Sequence, residues 1–340
     1  MKRVIIFAPN WLGDAVMALP AIADVRRGSP GATVTIAARK SVAPLFEMVS
    51  DVDEVVAIER GARPVVFPVR GRHANGAPGP DFDTAILLPN SFHSALIARR
   101  AGIPERWGYR TDLRGTLLTR AIDPAPAGMH QIDLYQRLVQ ALGFPPEPSA
   151  PRLEAAPQAR AAAACLLTEA GWDGHTPIVA LAPGAAFGAA KRWPPESFAA
   201  VARALAGDGL QPVLVGSPAD APTGVEVEAA LRSSTTLLNL IGRTDLSTLT
   251  GVLAGARVLI SNDSGALHLG AALGVPLTAL FGPTDERVVR PRPARESPPP
   301  AVLTHQIWCR PCWLRECPLD HECMRGIRVE TVLDAARRIM

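Results

Sequence analysis

The sequence predicts an α/β protein of two similarly sized domains, each a parallel sheet covered by helices. Three observations carry this. Short β-branched runs alternate with helical patterns in the first half, a proline-rich stretch over 144–151 holds Pro145, Pro146, Pro148 and Pro151, and the same rhythm then restarts. Strands that alternate with helices need crossover connections and therefore pair in parallel. Prolines so closely spaced fit neither a helix interior nor a central strand, so they mark a boundary. The expected domains are 1–150 and 151–340, in line with roughly 150 residues per domain.

In the first domain, residues 4–7 read as a buried strand and 14–26 as a helix kinked or broken at Pro20. Residues 34–37, 54–58 and 84–88 are further strands, bounded by Gly, Pro and Asp. The stretch 61–81, rich in Arg, Pro and Gly, reads as a surface insertion. In the second domain 178–181, 212–215, 258–260 and 276–280 read as strands, with helices over 195–206, 246–253 and 266–273. No self-similar period of a solenoid is visible.

Composition narrows the class. An apolar fraction of 48% with 20% charged residues excludes a chain disordered from end to end, and 28 Gly with 33 Pro supply many turns. The balance of 35 Lys+Arg against 32 Asp+Glu leaves +3, too little for nucleic-acid binding through bulk phosphate attraction. The apolar run over 4–9 is too short for a secretory signal. The stretch 266–282, interrupted by His268 and Pro276, falls short of the roughly 18 apolar residues a membrane span needs. The expected location is cytoplasmic.

In open parallel sheets the ligand sits beyond the carboxyl ends of the strands, where loops lead into helix starts. Four loops there carry unusual chemistry. Asn10-Trp11-Leu12-Gly13-Asp14 follows the first strand, with Asp14 at or near a helix start, as a cap, a general base or both. The loop over 182–194 contains Gly184, where small residues let a ligand approach the backbone, and Lys191 with Arg192 for positive charge. Its spacing is not that of a Walker A loop. Asp263, Ser264, Gly265 and Ala266, with His268 beyond, open an Ala-rich helix whose first N–H groups suit a diphosphate, although Asp263 alternatively caps it. Phe281-Gly282-Pro283-Thr284-Asp285 comes one strand later and is expected beside the third loop.

Taken together, Asn10 to Met17, Pro183-Gly184-Ala185, Lys191-Arg192-Trp193-Pro194, Asn262-Asp263-Ser264-Gly265 with His268, and Phe281-Gly282-Pro283-Thr284 resemble the ADP-heptose:lipopolysaccharide heptosyltransferases. The match spans nearly the whole chain in order. It implies a GT-B fold, two Rossmann-like domains facing across a cleft, with the acceptor in the N-terminal and the nucleotide-sugar donor in the C-terminal domain. The resemblance places the family's base on Asp14, its diphosphate lysine on Lys191 and its phosphate loop on Asp263, Ser264 and Gly265. Asp220 is a candidate for the family's acidic ribose contact, or simply a turn residue. ADP-heptose would be the donor and the lipopolysaccharide inner core the acceptor, with inversion at the anomeric carbon. No Asp-x-Asp pair lies in these loops, which agrees with a metal-independent transferase that needs no cofactor. A GT-B sugar-nucleotide epimerase and a non-catalytic nucleotide-sugar binder are the alternatives.

Two further features stand apart from the motif. Arg99, Arg100, Arg106, Arg110, Arg114 and Arg120 form either a solvated face or a patch for acceptor anions and an anionic inner-membrane face. Asn10, Trp11, Arg99 and Arg110 are the residues assigned to the acceptor. Cys309, Cys312, Cys317 and Cys323 admit a structural Zn or Fe–S centre, disulfides or plain thiols, in a pattern matching no standard zinc spacing. Lying after the donor loops, they are not expected to be catalytic. Cys165, on an Ala-rich helix, reads as core.

Overall fold

The β-branched runs pair in parallel with their neighbours. A computed structural model of the chain describes residues 1–58, 71–72, 78–79, 82–147, 150–231, 236–293 and 297–340. It divides into two units, Met1–Ser149 and Ala150–Met340. Apart from two short strands, the expected insertion over 61–81 lies outside the described residues, as do Pro148 and Ser149 of the proline-rich stretch.

The first unit holds β1 (Arg3–Phe7), β2 (Thr33–Arg39), β3 (Glu54–Ile58), the antiparallel pair β4 (Gly71–Arg72) and β5 (Pro78–Gly79), then β6 (Thr84–Leu87), β7 (Glu105–Tyr109) and β8 (Arg120–Ile122). Its six-stranded sheet runs β3-β2-β1-β6-β7-β8, with Ile5 opposite Thr35 on one side and Ala85 on the other. Val4, Ile5 and Ile6 are buried on both faces, which is why β1 reads as an unbroken apolar run. The helix expected over 14–26 is two helices, Leu12–Met17 and Leu19–Gly28. The break falls at Ala18, and Pro20 sits in the first turn of the second helix, where its missing N–H is no loss.

The second unit contains β9 (Ile178–Ala182), β10 (Gln211–Leu214), β11 (Leu238–Asn239), β12 (Ala256–Asn262), β13 (Leu277–Phe281) and β14 (Ala301–Thr304), in the order β11-β10-β9-β12-β13-β14. Strand order reverses between β9 and β12, whose carboxyl ends align with Ser261 opposite Ala182. β13 lies on the other side of β12, with Leu280 opposite Asn262. The loops after β9, β12 and β13 therefore leave the sheet edge side by side, at the switch point where α/β sheets bind ligands. Below them, Trp193 packs edge-on to Phe198 with ring centroids 5.2 Å apart and donates from its indole to Ile327 O.

The arginines over 99–120 differ in their surroundings. Arg106 and Arg120 donate to main-chain carbonyls, and Arg114 is wholly buried, giving its N–H groups to Tyr109 O, Asn90 Oδ1 and Ser94 Oγ. Burial, opposed by the charge of Asp112, pulls the Arg114 guanidinium down to about 10, so it is still a cation at neutral pH. Arg99 and Arg110 are exposed, the latter 3.4 Å from Asp123. Arg114→Ala should therefore cost about 3 kcal/mol by leaving buried acceptors unpaired, whereas Arg99→Ala and Arg110→Ala should stay within about 0.5 kcal/mol. Urea unfolding of the three variants checks this, and equal losses would contradict it.

Candidate active site

A buried carboxylate ties together the three loops at the switch point of the second unit. Asp263, the first residue beyond β12, accepts from Lys191 Nζ at 2.5 Å and from Thr284 Oγ1 at 2.6 Å on the same oxygen, Oδ2. Its other oxygen lies 3.9 Å from His268 Nε2, too far for a direct hydrogen bond. Lys191 comes from the loop after β9, Thr284 from the loop after β13, and His268 from the helix Gly265–Ala272. All four side chains are buried. Burial disfavours the carboxylate of Asp263, but His268 and Lys191 outweigh it and push the group down to about 2.

The surroundings hold this arrangement in place. Asn262, fully buried, accepts from Trp193 N at 3.1 Å and donates to Pro183 O at 2.7 Å, pinning both ends of the loop that carries Lys191. The Lys191 ammonium rests 4.7 Å from the centre of the Phe187 ring. Ser264, not Asp263, occupies the N-cap of the helix Gly265–Ala272, and its side chain makes no capping bond. Asp263 is thus a partner of Lys191 and Thr284 rather than a cap. Gly265 and Ala266 form the first turn, whose main-chain N–H groups point toward the helix start.

Asp220 serves a turn with one oxygen only. Its Oδ2 accepts from Ser217 N and Ser217 Oγ, while Oδ1 is buried with no hydrogen-bond partner. That carboxylate faces Gly184, where a Cβ would fall 2.2 Å from Asp220 Cγ, so only glycine fits. Arg192 Nε is likewise buried without a partner, and its Nη2 lies 4.0 Å from Asp220 Oδ1. Arg192 and Thr284 both stand inside the motif, yet nothing in the spacing of the sequence marks which acid each one faces.

In the first unit, Asn10 and Trp11 are exposed on the loop after β1. Trp11 is the N-cap of the helix Leu12–Met17, so Asp14, its third residue, is not the cap. Tyr135, buried in the helix Gln131–Ala141, is a neighbour the sequence did not signal. Burial, and then the charge of Asp14, raise its phenol well above the ordinary range, so that it stays protonated.

The four clustered cysteines are free thiols that line one cavity of about 20 Å³ together with Ala190 and Pro283. Among the described residues no group of three or more His, Cys, Asp or Glu side chains is arranged to hold a metal ion. Of the alternatives open for these cysteines, the disulfide is not formed. Cys323 is buried, and burial followed by the other three thiols pushes its thiol up, away from the reactive thiolate. Cys165 is exposed on its helix instead of lying in the core. No helix among the described residues is long and apolar enough to cross a membrane.

Comparison with known proteins places this geometry in context. The profile of glycosyltransferase family 9 (heptosyltransferase) matches residues 71–322. The chain is 31% identical over 293 residues to lipopolysaccharide heptosyltransferase 2 of Salmonella typhimurium, covering 83% of each chain. It is 29% identical over 301 residues to lipooligosaccharide heptosyltransferase 2 of Haemophilus influenzae, covering 85% of this chain and 86% of that one. The solved structure of Escherichia coli ADP-heptose lps heptosyltransferase II superposes with a TM-score of 0.83 at 27% identity, covering 100% of this chain and 98% of that chain.

The pH dependence of stability reads out the Asp263 cluster. Its folded value of about 2 lies below the ordinary 3.8, so as pH falls the unfolded chain takes up the proton first. The stabilisation, about 2 kcal/mol, is complete at neutral pH and is lost as pH falls through about 4 toward 2. Asp263→Asn should be less stable at pH 7 and flatter across that window. Thermal unfolding at pH 7, 4 and 3 checks it, and an equally steep decline in both proteins would contradict it.

Proposed function

The chain belongs to glycosyltransferase family 9, the heptosyltransferases, and from that premise we propose that it transfers heptose from ADP-heptose to the inner core of lipopolysaccharide, in the manner of heptosyltransferase II. The observation that carries the reading is the buried cluster of Lys191, Asp263 and Thr284 beside the start of the helix Gly265–Ala272, at the switch point of a parallel sheet. An ammonium has three donors, of which Asp263 takes one, and the rest suit an anion. Departure of ADP builds negative charge on the β-phosphate. Lys191 and the main-chain N–H groups of Ser264, Gly265 and Ala266 would stabilise that charge more than the ground state. Asp263 holds Lys191 in position and His268 supports Asp263.

The rest of the donor site follows from orphaned groups. Asp220 Oδ1, buried and without a hydrogen-bond partner, suits a ribose hydroxyl approaching over Gly184. In the first unit Asp14 is proposed as the general base that takes the proton of the attacking acceptor hydroxyl, and a single displacement then inverts the anomeric carbon. Asn10, Trp11, Arg99 and Arg110 are proposed to meet the anionic acceptor, since an exposed guanidinium recognises phosphate and carboxylate bidentately. With protein cations at the leaving group, the proposed reaction needs neither metal nor cofactor. The acceptor is a lipid, so the enzyme is proposed to work from the cytoplasm at the inner membrane face.

The test is incubation with ADP-heptose and an isolated inner-core acceptor in the presence of EDTA, scoring ADP release and product mass together. The expected result is stoichiometric ADP and a product heavier by one heptose. An epimerised donor formed without acceptor, or a rate abolished by EDTA and restored by magnesium, would overturn it. Asp14→Asn should lower turnover by at least about 100-fold while leaving ADP affinity intact, because the amide is nearly isosteric and cannot accept a proton. Turnover within about threefold of wild type, less than about 1 kcal/mol in the barrier, removes Asp14 as the base.

A further inference from the structure

The cysteine-bearing segment grips two loops of the donor cluster, the one after β13 and the one that carries Lys191. Arg310 has a side chain only 5% exposed and donates from Nε to Gly282 O and from Nη2 to Thr284 O at 3.2 Å and to Glu286 Oε2 at 2.8 Å. The carbonyl between them, Pro283 O, accepts from Cys312 N at 3.0 Å and Trp313 N at 2.9 Å. Three consecutive carbonyls of the loop after β13 are thereby held from one side. Gly282 packs so closely on the same segment that a Cβ would fall 2.3 Å from Met324 Sδ.

The other arm reaches the lysine loop. Ala190 N, immediately before Lys191, donates to Arg315 O at 3.0 Å. Gly188 lies against that carbonyl, where a Cβ would fall 2.3 Å from Arg315 O, and its φ of 159° is extended backbone. The Phe187 ring has Lys191 at 4.7 Å and the Arg315 guanidinium at 5.4 Å. Thr284 and Lys191, the two groups that share Asp263 Oδ2, are thus both held by one segment.

We infer that Arg310 is a positioning residue of the donor-phosphate site, fixing the Gly282 to Thr284 main chain so that the Thr284 hydroxyl keeps Asp263 aligned with Lys191. The inference rests on the donor-site reading proposed above. A planar guanidinium satisfies three acceptors in fixed directions, which an ammonium on a flexible stem does not reproduce. The chain from Arg310 runs through the Thr284 carbonyl and hydroxyl to Asp263 and ends on Lys191. The grip on the two loops lies in the Arg310 side chain and in the main chain of Cys312, Trp313 and Arg315.

A double-mutant cycle on the full chain tests this, with ADP binding by calorimetry as the direct readout and donor and acceptor KM measured alongside. Arg310→Lys should weaken ADP binding and raise the donor KM by about tenfold, with the acceptor KM unchanged. Thr284→Val should do the same, and the double variant should be no more than about twofold worse than Thr284→Val alone, since both act through one chain of contacts. Unchanged ADP affinity with only a smaller active fraction would reduce Arg310 to a purely structural role and overturn the inference, as would fully additive effects. Should Arg310→Lys fail to fold, Glu286→Gln loosens the guanidinium while keeping it, and is expected to weaken ADP binding about threefold, again without additivity to Thr284→Val. Unchanged binding in that variant would overturn the inference equally. A wild type that does not bind ADP overturns the donor-site reading itself, and this inference with it.

Discussion

The charge of Asp263 is the constraint around which the second unit is arranged. A carboxylate buried this deeply has to be compensated by groups that are themselves held in place, because an isolated buried charge is far costlier than any single hydrogen bond. Here the compensation comes from separate stretches of chain: Lys191 after β9, His268 in the following helix and Thr284 after β13. Two of them are also anchored elsewhere, Lys191 through the Asn262 bridge and Thr284 through Arg310. Moving one loop would strand a charge in another, so the three loops behave as one body.

Parallel topology makes the arrangement possible. β9, β12 and β13 are neighbours through crossovers, so their carboxyl ends deliver Lys191 and Asp263, 72 positions apart in sequence, to one edge. The same edge carries the first turn of the helix Gly265–Ala272, where main-chain donors gather. In the proposed reaction the site thus has a fixed cation, a fixed carboxylate and main-chain donors in place before the donor arrives, which is what stabilising a leaving diphosphate asks for.

The strand rhythm was readable because buried parallel strands are apolar on both faces and appear as short unbroken runs, as in 4–7 and 178–181. The loops of interest were readable because they follow such runs and are rich in Gly, Pro and Asp. What stayed hidden were partner choices made across long sequence separations. Asp14 and Asp263 each stand next to a helix start, where composition suggests caps, yet Trp11 and Ser264 hold those positions. Arg114 belongs to a run of arginines but is buried by carbonyls contributed from Pro89 to Tyr109. Cys165 sits among alanines on a face that is exposed, since alanine-rich helices give little indication of which side packs. Arg310 carried no signal of its own because its acceptors are main-chain atoms, which any residue supplies.

The central claim is that the Lys191 and Asp263 cluster, with the first turn of the helix Gly265–Ala272, is where the donor diphosphate binds. A crystal structure of the protein with ADP measures this directly. The account predicts the β-phosphate within hydrogen-bond distance of Lys191 Nζ and of main-chain nitrogens from Ser264 to Ala266, with a ribose hydroxyl on Asp220 Oδ1. A diphosphate bound away from these groups, with Asp220 Oδ1 still unpartnered, would contradict it.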